Sequence, residues 1–437
     1  MNLPASLGDH LILRRAETHE DIERIIELDN AVVQANDPNL DLSGWIRALT
    51  DGHHPTTTIH DFYLVEDTRK GLFVSSMCLI PQTWAYEGIP FGVGRPEIVM
   101  TLPEYRRRGL VRAQFEALHA DCARRDLPVQ GITGIPNFYR QFGYEYALDL
   151  DAGWVGLHFD LLPNLDDGAA EHYSLRKMAE ADLPAVMDIA RAFDRDLAIT
   201  CLRDETYWRF LVHEALHVSS SALYVLVETA SDRVIGYVGL RDRHWGPWLA
   251  AVELALAKGV SYLEVTPALL RAMRALADTD FARPIDPSRQ LAFWLGREHP
   301  IYNIVKRYGG SVRTPYAWYL RVPDLPGFIR RIAPALERRL AASSVAGYSG
   351  ELSLSFYREP GVRMKWERGR LVETGIVEPG EDSNAAFPPL VFLKLLFGYR
   401  TLEELRYAFP DVWAWGECWT VLEALFPKRL SCVVPAH

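Results

Sequence analysis

One order of elements runs through this 437-residue chain twice, and few folds accommodate such a pattern. Residues 11–13 read as a short strand, Thr18 as an N-cap, and Ile22, Ile25, Ile26 and Leu28 as the buried stripe of a helix. Residues 62–66, a polar turn through Arg69-Lys70-Gly71, and residues 72–81 read as a hairpin. A further strand over 97–102 leads into a helix starting near Gly109. On that helix Leu110, Ala113, Ala117 and Leu118 keep helical spacing. The second copy opens with Arg176 six places before Asp182, as Arg15 stands six before Asp21. Its hairpin covers 223–228 and 234–240, and Tyr308-Gly309 answers Phe142-Gly143. Repeats of this size are domains rather than solenoid units, so a tandem duplication is expected. The turn-forming run 163–168 marks the boundary.

From about residue 323 the character changes. A helix over 328–340 precedes β-type runs at 352–357 and 362–366, then apolar helical stretches at 389–396 and 402–409. Trp413, Trp415 and Trp419 read as core aromatics. Three domains are expected: 1–160, 161–322 and 323–437. The fold class is α/β (α+β) with mixed sheets.

Arginine and lysine total 47 against 57 acidic residues, a net charge of −10. That sign argues against broad nucleic-acid binding and favours a cationic substrate or partner. Five scattered cysteines with no CxxC pair give neither a disulfide framework nor a cysteine zinc site. The first residues lack the order of a signal peptide. No apolar stretch approaches the ~20 residues of a membrane span. A cytoplasmic location without membrane contact is the resulting expectation.

Chemistry concentrates between Glu97 and Ala113. A strand ends, the basic loop Arg106-Arg107-Arg108 turns, and a helix begins at Gly109. Backbone N–H groups at a helix start bind anions, assisted by the helix dipole. Gly109 permits close approach, and Arg107, Arg108 and Arg112 add fixed charge, so a pyrophosphate fits.

Arg106-Arg107-Arg108-Gly109-Leu110-Val111 resembles motif A of the GNAT (Gcn5-related) N-acetyltransferases, which binds the acetyl-CoA pyrophosphate. The family has a small residue at the last position, where this chain has Val111. Residues 131–135 and Asn137-Phe138-Tyr139-Arg140-Gln141-Phe142-Gly143-Tyr144 look like the family's last core strand and helix. The resemblance implies a general-acid role for Tyr139, four residues before Gly143. It also implies backbone pairing of Val99, Met100 and Thr101 with the pantetheine, and places Gly134 and Ile135 beside the cofactor.

Two such units plus a third segment look like the Eis (enhanced intracellular survival) type acetyltransferases, whose last domain resembles a sterol carrier protein. That resemblance implies a catalytic first domain, a structural second one and a homo-oligomer, often a hexamer. The expected reaction is direct transfer to a primary amine of an aminoglycoside, a polyamine or a lysine. It gives the base role to the C-terminal α-carboxylate, here that of His437, with Glu97 as second candidate. In the second unit no Arg-x-x-Gly loop follows residues 252–256, and Val305 stands four places before Gly309.

Two rival readings carry different chemistry. His213-Glu214-Ala215-Leu216-His217 matches HExxH, a zinc peptidase motif when helical. No further ligand follows on continued helix, so no metal is expected. The other rival is a non-catalytic small-ligand binder, against which the intact arginine loop and Tyr139 argue.

Overall fold

The structure is a computed structural model describing residues 3–213, 221–242, 248–279, 281 and 290–434. Strands β1 (Ala5–Gly8) and β2 (Leu11–Arg15) lead into helix α1 (His19–Gln34). Thr18 accepts the Asp21 N–H, and the Asp21 carboxylate accepts the Thr18 N–H, which satisfies two donors at the helix start. The expected stripe of Ile22, Ile25, Ile26 and Leu28 is buried. Helix α2 (Ser43–Thr50) precedes strands β3 (Phe62–Asp67), β4 (Leu72–Tyr86) and β5 (Ile89–Thr101). Helix α3 (Leu110–Arg124) and strands β6 (Val129–Ile132) and β7 (Glu145–Leu150) complete this stretch. β5 starts eight residues before the expected Glu97, because Glu87 and Gly88, both at positive φ, close a tight hairpin with β4.

The next stretch holds β8 (Gly153–His158), β9 (Tyr173–Lys177), α4 (Leu183–Asp194), β10 (Ile199–Cys201) and α5 (Glu205–His213). After them come β11 (Ala222–Glu228), β12 (Val234–Asp242), β13 (Trp248–Leu256), α6 (Tyr262–Asp278) and β14 (Gln290–Phe293). The short helix α7 (Tyr302–Val305) and strands β15 (Ser311–Arg313) and β16 (Tyr316–Arg321) follow. The Arg176–Asp182 ion pair forms at 2.8 Å. Its counterpart is Arg14–Asp21, also 2.8 Å, whereas Arg15 meets Asp121 on α3 at 2.9 Å. Consecutive strand residues face opposite sides, so a one-residue offset decides which arginine reaches the helix cap.

Among the described residues, the first sheet runs β1-β2-β3-β4-β5-β6-β16-β7, with β10 added on β4. The second runs β15-β8-β14-β13-β12-β11-β9. The first sheet is therefore completed by strands from the next stretch of chain, β16 between β6 and β7 and β10 on β4, while β8 sits between β15 and β14 in the second. The parallel ladders in these sheets are β5·β6 and β13·β14. Helix α3 covers one face of the first sheet, and α1 with α2 covers the other.

The last stretch begins with α8 (Leu325–Ala341) and builds a sheet from β17 (Gly350–Phe356), β18 (Glu359–Glu367), β19 (Arg370–Val377), β20 (Ala385–Ala386) and β21 (Trp413–Ala414). Helices α9 (Phe392–Leu396), α10 (Leu402–Ala408) and α11 (Glu417–Leu425) pack against it. Trp415, expected in the core, is 69% exposed, because Ala414 takes the buried position of the strand and Gly416 turns the chain outward. Two buried cations clamp this part to the first sheet. Arg339 reaches Glu87 at 2.9 Å and the Tyr86 hydroxyl at 2.9 Å, and Lys394 reaches Glu145 at 3.0 Å. No helix among the described residues is long and apolar enough to cross a membrane.

The contact of α3 with β5 depends on Gly94. A methyl group there would stand 2.5 Å from the Cys122 sulfur and 3.1 Å from a Leu79 methyl. Gly94→Ala should lower stability in urea unfolding by about 1–3 kcal/mol, the usual effect of overpacking a core.

Candidate active site

Three local departures from regular structure make the site. First, β5 bulges: Ser76 pairs with Met100 and Cys78 with Glu97, so Ile98 and Val99 together face Met77. Ile98 takes φ +53°, a costly conformation for a β-branched residue. Such bulges re-aim side chains beside active sites. Second, the β5·β6 ladder consists of Val93 with Val129 and Gly94 with Gln130. On its other edge β6 pairs with β16, where Gln130, Gly131 and Ile132 meet Arg321, Leu320 and Tyr319. Among the described residues, no strand pairs with the β6-facing edge of β5 from Arg95 onward. Third, Arg107 at φ +63° and Gly109 at φ +78° bend the loop into α3.

Helix α3 therefore begins at a left-handed glycine with no side-chain cap and no acidic residue in its first turn. Its leading N–H groups stay available to an anion. Arg107, Arg108, Gly109 and Arg112 are all exposed. Arg112 lies over the Phe142 ring and donates to Gln141 at 3.1 Å, and Arg108 lies over Tyr105. Leu110 is buried and Val111 half-buried, anchoring the helix start. The equivalent helix of the second stretch, α6, starts differently. Ser261 caps the Glu264 N–H, and Glu264 puts negative charge in the first turn.

Tyr139 begins a short 3-10 turn ending at Phe142, and Gly143 at φ +86° terminates it. The ring is 4% exposed, packed edge-on against Phe115, Tyr144 and Tyr319. Its hydroxyl has no hydrogen-bond partner among the described residues and lies 3.8 Å from where a Cβ on Gly134 would stand. Desolvation, then the nearby Glu97 charge, pushes its pKa well above the ordinary tyrosine value. It stays protonated at neutral pH. Tyr316 donates to the Gly134 carbonyl, and the Tyr319 hydroxyl lies 2.7 Å from that of Tyr146 and 3.5 Å from the Ile135 carbonyl oxygen. These bonds fix the turn after β6, where Ile135 is 54% exposed. Glu97, on β5, accepts from Arg95. Burial raises its pKa while Arg95 opposes the rise.

Residues 13–147 match the family model for an acetyltransferase (GNAT) domain. Over that stretch the chain is similar to a GNAT acetyltransferase domain. No curated protein matches the chain in sequence. Solved structures match it along nearly its whole length. A probable N-acyltransferase from Enterococcus faecalis is 13% identical with TM-score 0.66, covering 96% of this chain and 97% of its own. A GCN5-related N-acetyltransferase from Anabaena variabilis is 13% identical with TM-score 0.65, covering 97% and 99%. Eis1 from Mycobacterium abscessus is 15% identical with TM-score 0.58, covering 96% and 98%. At these identities the likeness establishes the fold.

Within the GNAT-like stretch, the structure gathers Val99, Met100, Thr101, Gly134, Ile135 and Tyr139 around the parting of β5 and β6, with residues 107–112 at the helix start. The Thr101 hydroxyl is held by Ser75 at 2.8 Å. His437 lies outside the described residues, as do residues 214–217 of the HExxH sequence. His213, the last residue of α5, is hydrogen-bonded to Glu180 at 2.6 Å. Arg95, Tyr316 and Tyr319 were not foreseen. Arg95 had a signal, being two places from Glu97 and so on the same strand face. The tyrosines had none, because they arrive on β16 from far along the chain.

The raised Glu97 pKa has a stability consequence. The folded state holds a proton that the unfolded chain releases near the ordinary value of 4.5. Wild-type stability should therefore fall relative to Glu97→Gln as pH rises from 4.5 toward the folded pKa. Paired urea titrations across pH 4–7 check this. A stability difference independent of pH would mean that Glu97 titrates normally.

Proposed function

We propose that this protein transfers an acetyl group from acetyl-CoA to a primary amine by direct reaction in a ternary complex. The observation that carries the reading is the uncapped, glycine-initiated start of α3, ringed by Arg107, Arg108 and Arg112, beside the unpaired edge of β5. Those N–H groups and guanidiniums suit a pyrophosphate. The backbone of Val99, Met100 and Thr101 suits an amide-bearing pantetheine chain, with Gly134 and Ile135 opposite.

In the transfer a C–N bond forms and the thioester C–S bond breaks. Glu97 takes the proton that the amine loses. Tyr139 gives its hydroxyl proton to the departing sulfur, a role for which a neutral phenol without another partner is suited. On this reading the first unit is catalytic. The second is a duplicated unit that has lost its anion site, as Ser261 and Glu264 indicate, and the third is a sterol-carrier-like domain. Aminoglycosides, polyamines and lysines form the acceptor class, in keeping with the net negative charge of the chain. The assembly is a homo-oligomer, which light scattering measures.

The activity test follows free thiol while the protein is incubated with acetyl-CoA and a panel of these amines. Absence of both turnover and cofactor binding would reject the reading. Tyr139→Phe should slow transfer by ~10²–10⁴-fold, the usual contribution of a positioned acid, and leave CoA affinity unchanged. A chain extended by a few residues past His437 should keep its activity if Glu97 is the base. Loss of transfer with normal acetyl-CoA binding would assign that role to the terminal carboxylate.

A further inference from the structure

Arg95 is the first residue of β5 beyond its last pairing with β6, and it is fully buried. Its guanidinium lies 4.8 Å from the centroid of the Trp318 ring and donates through Nη2 to Glu97. Among the described residues its Nε and Nη1 have no acceptor. A buried arginine with two idle donors is a costly way to build a core, because each unmet N–H carries its desolvation penalty. An apolar residue of similar volume would serve stability as well or better. The Glu97 side chain retains 13% exposure, whereas that of Arg95 has none. The carboxylate is thus the wet end of the pair, at the parting of the strands where Tyr139 feels its charge.

We propose that Arg95 is a positioning residue that holds the Glu97 carboxylate in one orientation, charged and ready to accept the proton of the acceptor amine. The inference rests on the reading of Glu97 as the base. The fully buried cation, with no other carboxylate bound, directs its whole attraction at Glu97, where low polarity strengthens it.

The other groups facing the pair are compatible with this role. Cys78 stands opposite Glu97 on β4, and burial keeps it a thiol. Asp29 and Asp61 face Cys78 from α1 and from the turn before β3. Burial pushes the Asp29 carboxyl above its ordinary value, opposed by the Ser76 hydrogen bond, and Asp61 is ion-paired with Arg125. Tyr139 faces Glu97 from the turn after β6. Cys201 on β10 and Tyr207 on α5 face Arg95 and stay neutral through desolvation. Tyr316 adds a phenol at Tyr139.

The experiment is the pH profile of kcat/KM for wild type, Arg95→Met, Arg95→Lys, Glu97→Gln and the double variant Arg95→Met with Glu97→Gln. Without the guanidinium, burial alone sets Glu97, and the acid limb should move up by about one unit or more, roughly a tenfold loss at a pH on that limb. Arg95→Lys should move it less, and the KM for acetyl-CoA should hold within about twofold in both variants. On the Glu97→Gln background Arg95→Met should change nothing further. An acid limb left in place by Arg95→Met, while Glu97→Gln abolishes turnover, would overturn the inference and leave Glu97 as the base. Full turnover by Glu97→Gln would instead remove the base reading and the inference with it. If Arg95→Met does not fold, Arg95→Lys decides: an unmoved limb overturns the proposal, and an upward shift supports it.

Discussion

The site depends on where one parallel ladder stops. β5 and β6 stay together through Gly94 and Gln130 and then part. On β5 the bulge at Ile98 and Val99 bends the edge away, while β6 continues through Gly131 and Ile132, held on its far edge by β16. Backbone hydrogen-bonding groups unmatched by a neighbour need partners. A cleft edged by such groups suits an extended, amide-rich ligand. The glycine-led start of α3 then stands where a phosphate at the end of that ligand can reach it.

The pairing of β6 with β16 ties the first site to the rest of the chain. Tyr316 and Tyr319 arrive on that strand and hold the turn at Gly134 and Ile135. Trp318, between them, turns to the opposite face and lies over Arg95. One core runs on from Trp84, Trp318 and Leu320 through Phe328 and Ile332 into the last sheet and its helices. The first sheet is therefore incomplete without residues beyond 315. The Arg339–Glu87 and Lys394–Glu145 pairs fix the same interface with charges that would be expensive to strand.

What could be read from the sequence was local. The α1 cap and stripe, both hairpins and the glycine at the start of α3 rest on short-range rules, and each is found in the structure. The loop arginines and Tyr139 could be named from the sequence as candidates, because a strand–loop–helix unit keeps them within a short span. What escaped was set at long range. Nothing near Gly131 announces that its partner is Leu320, and nothing near Glu87 announces Arg339. The early start of β5 was missed because Glu87-Gly88 is a weaker turn signal than Asn-Gly or Asp-Gly. The Arg–Asp pair that opens each stretch was legible through Arg176 and Asp182, though the arginine that answers Arg176 is Arg14. Trp415 was misplaced because aromatic clustering alone does not say which residue a two-residue strand turns outward.

The central claim is that the first cleft binds the donor and the second does not, since α3 opens uncapped while α6 is capped by Ser261 and made acidic by Glu264. Calorimetric titration of the intact chain with CoA tests it most directly. The account predicts one CoA per chain, with binding weakened at least tenfold by replacing Arg107 and Arg112 together with glutamine. Two CoA per chain, or one that is indifferent to those arginines, would contradict it.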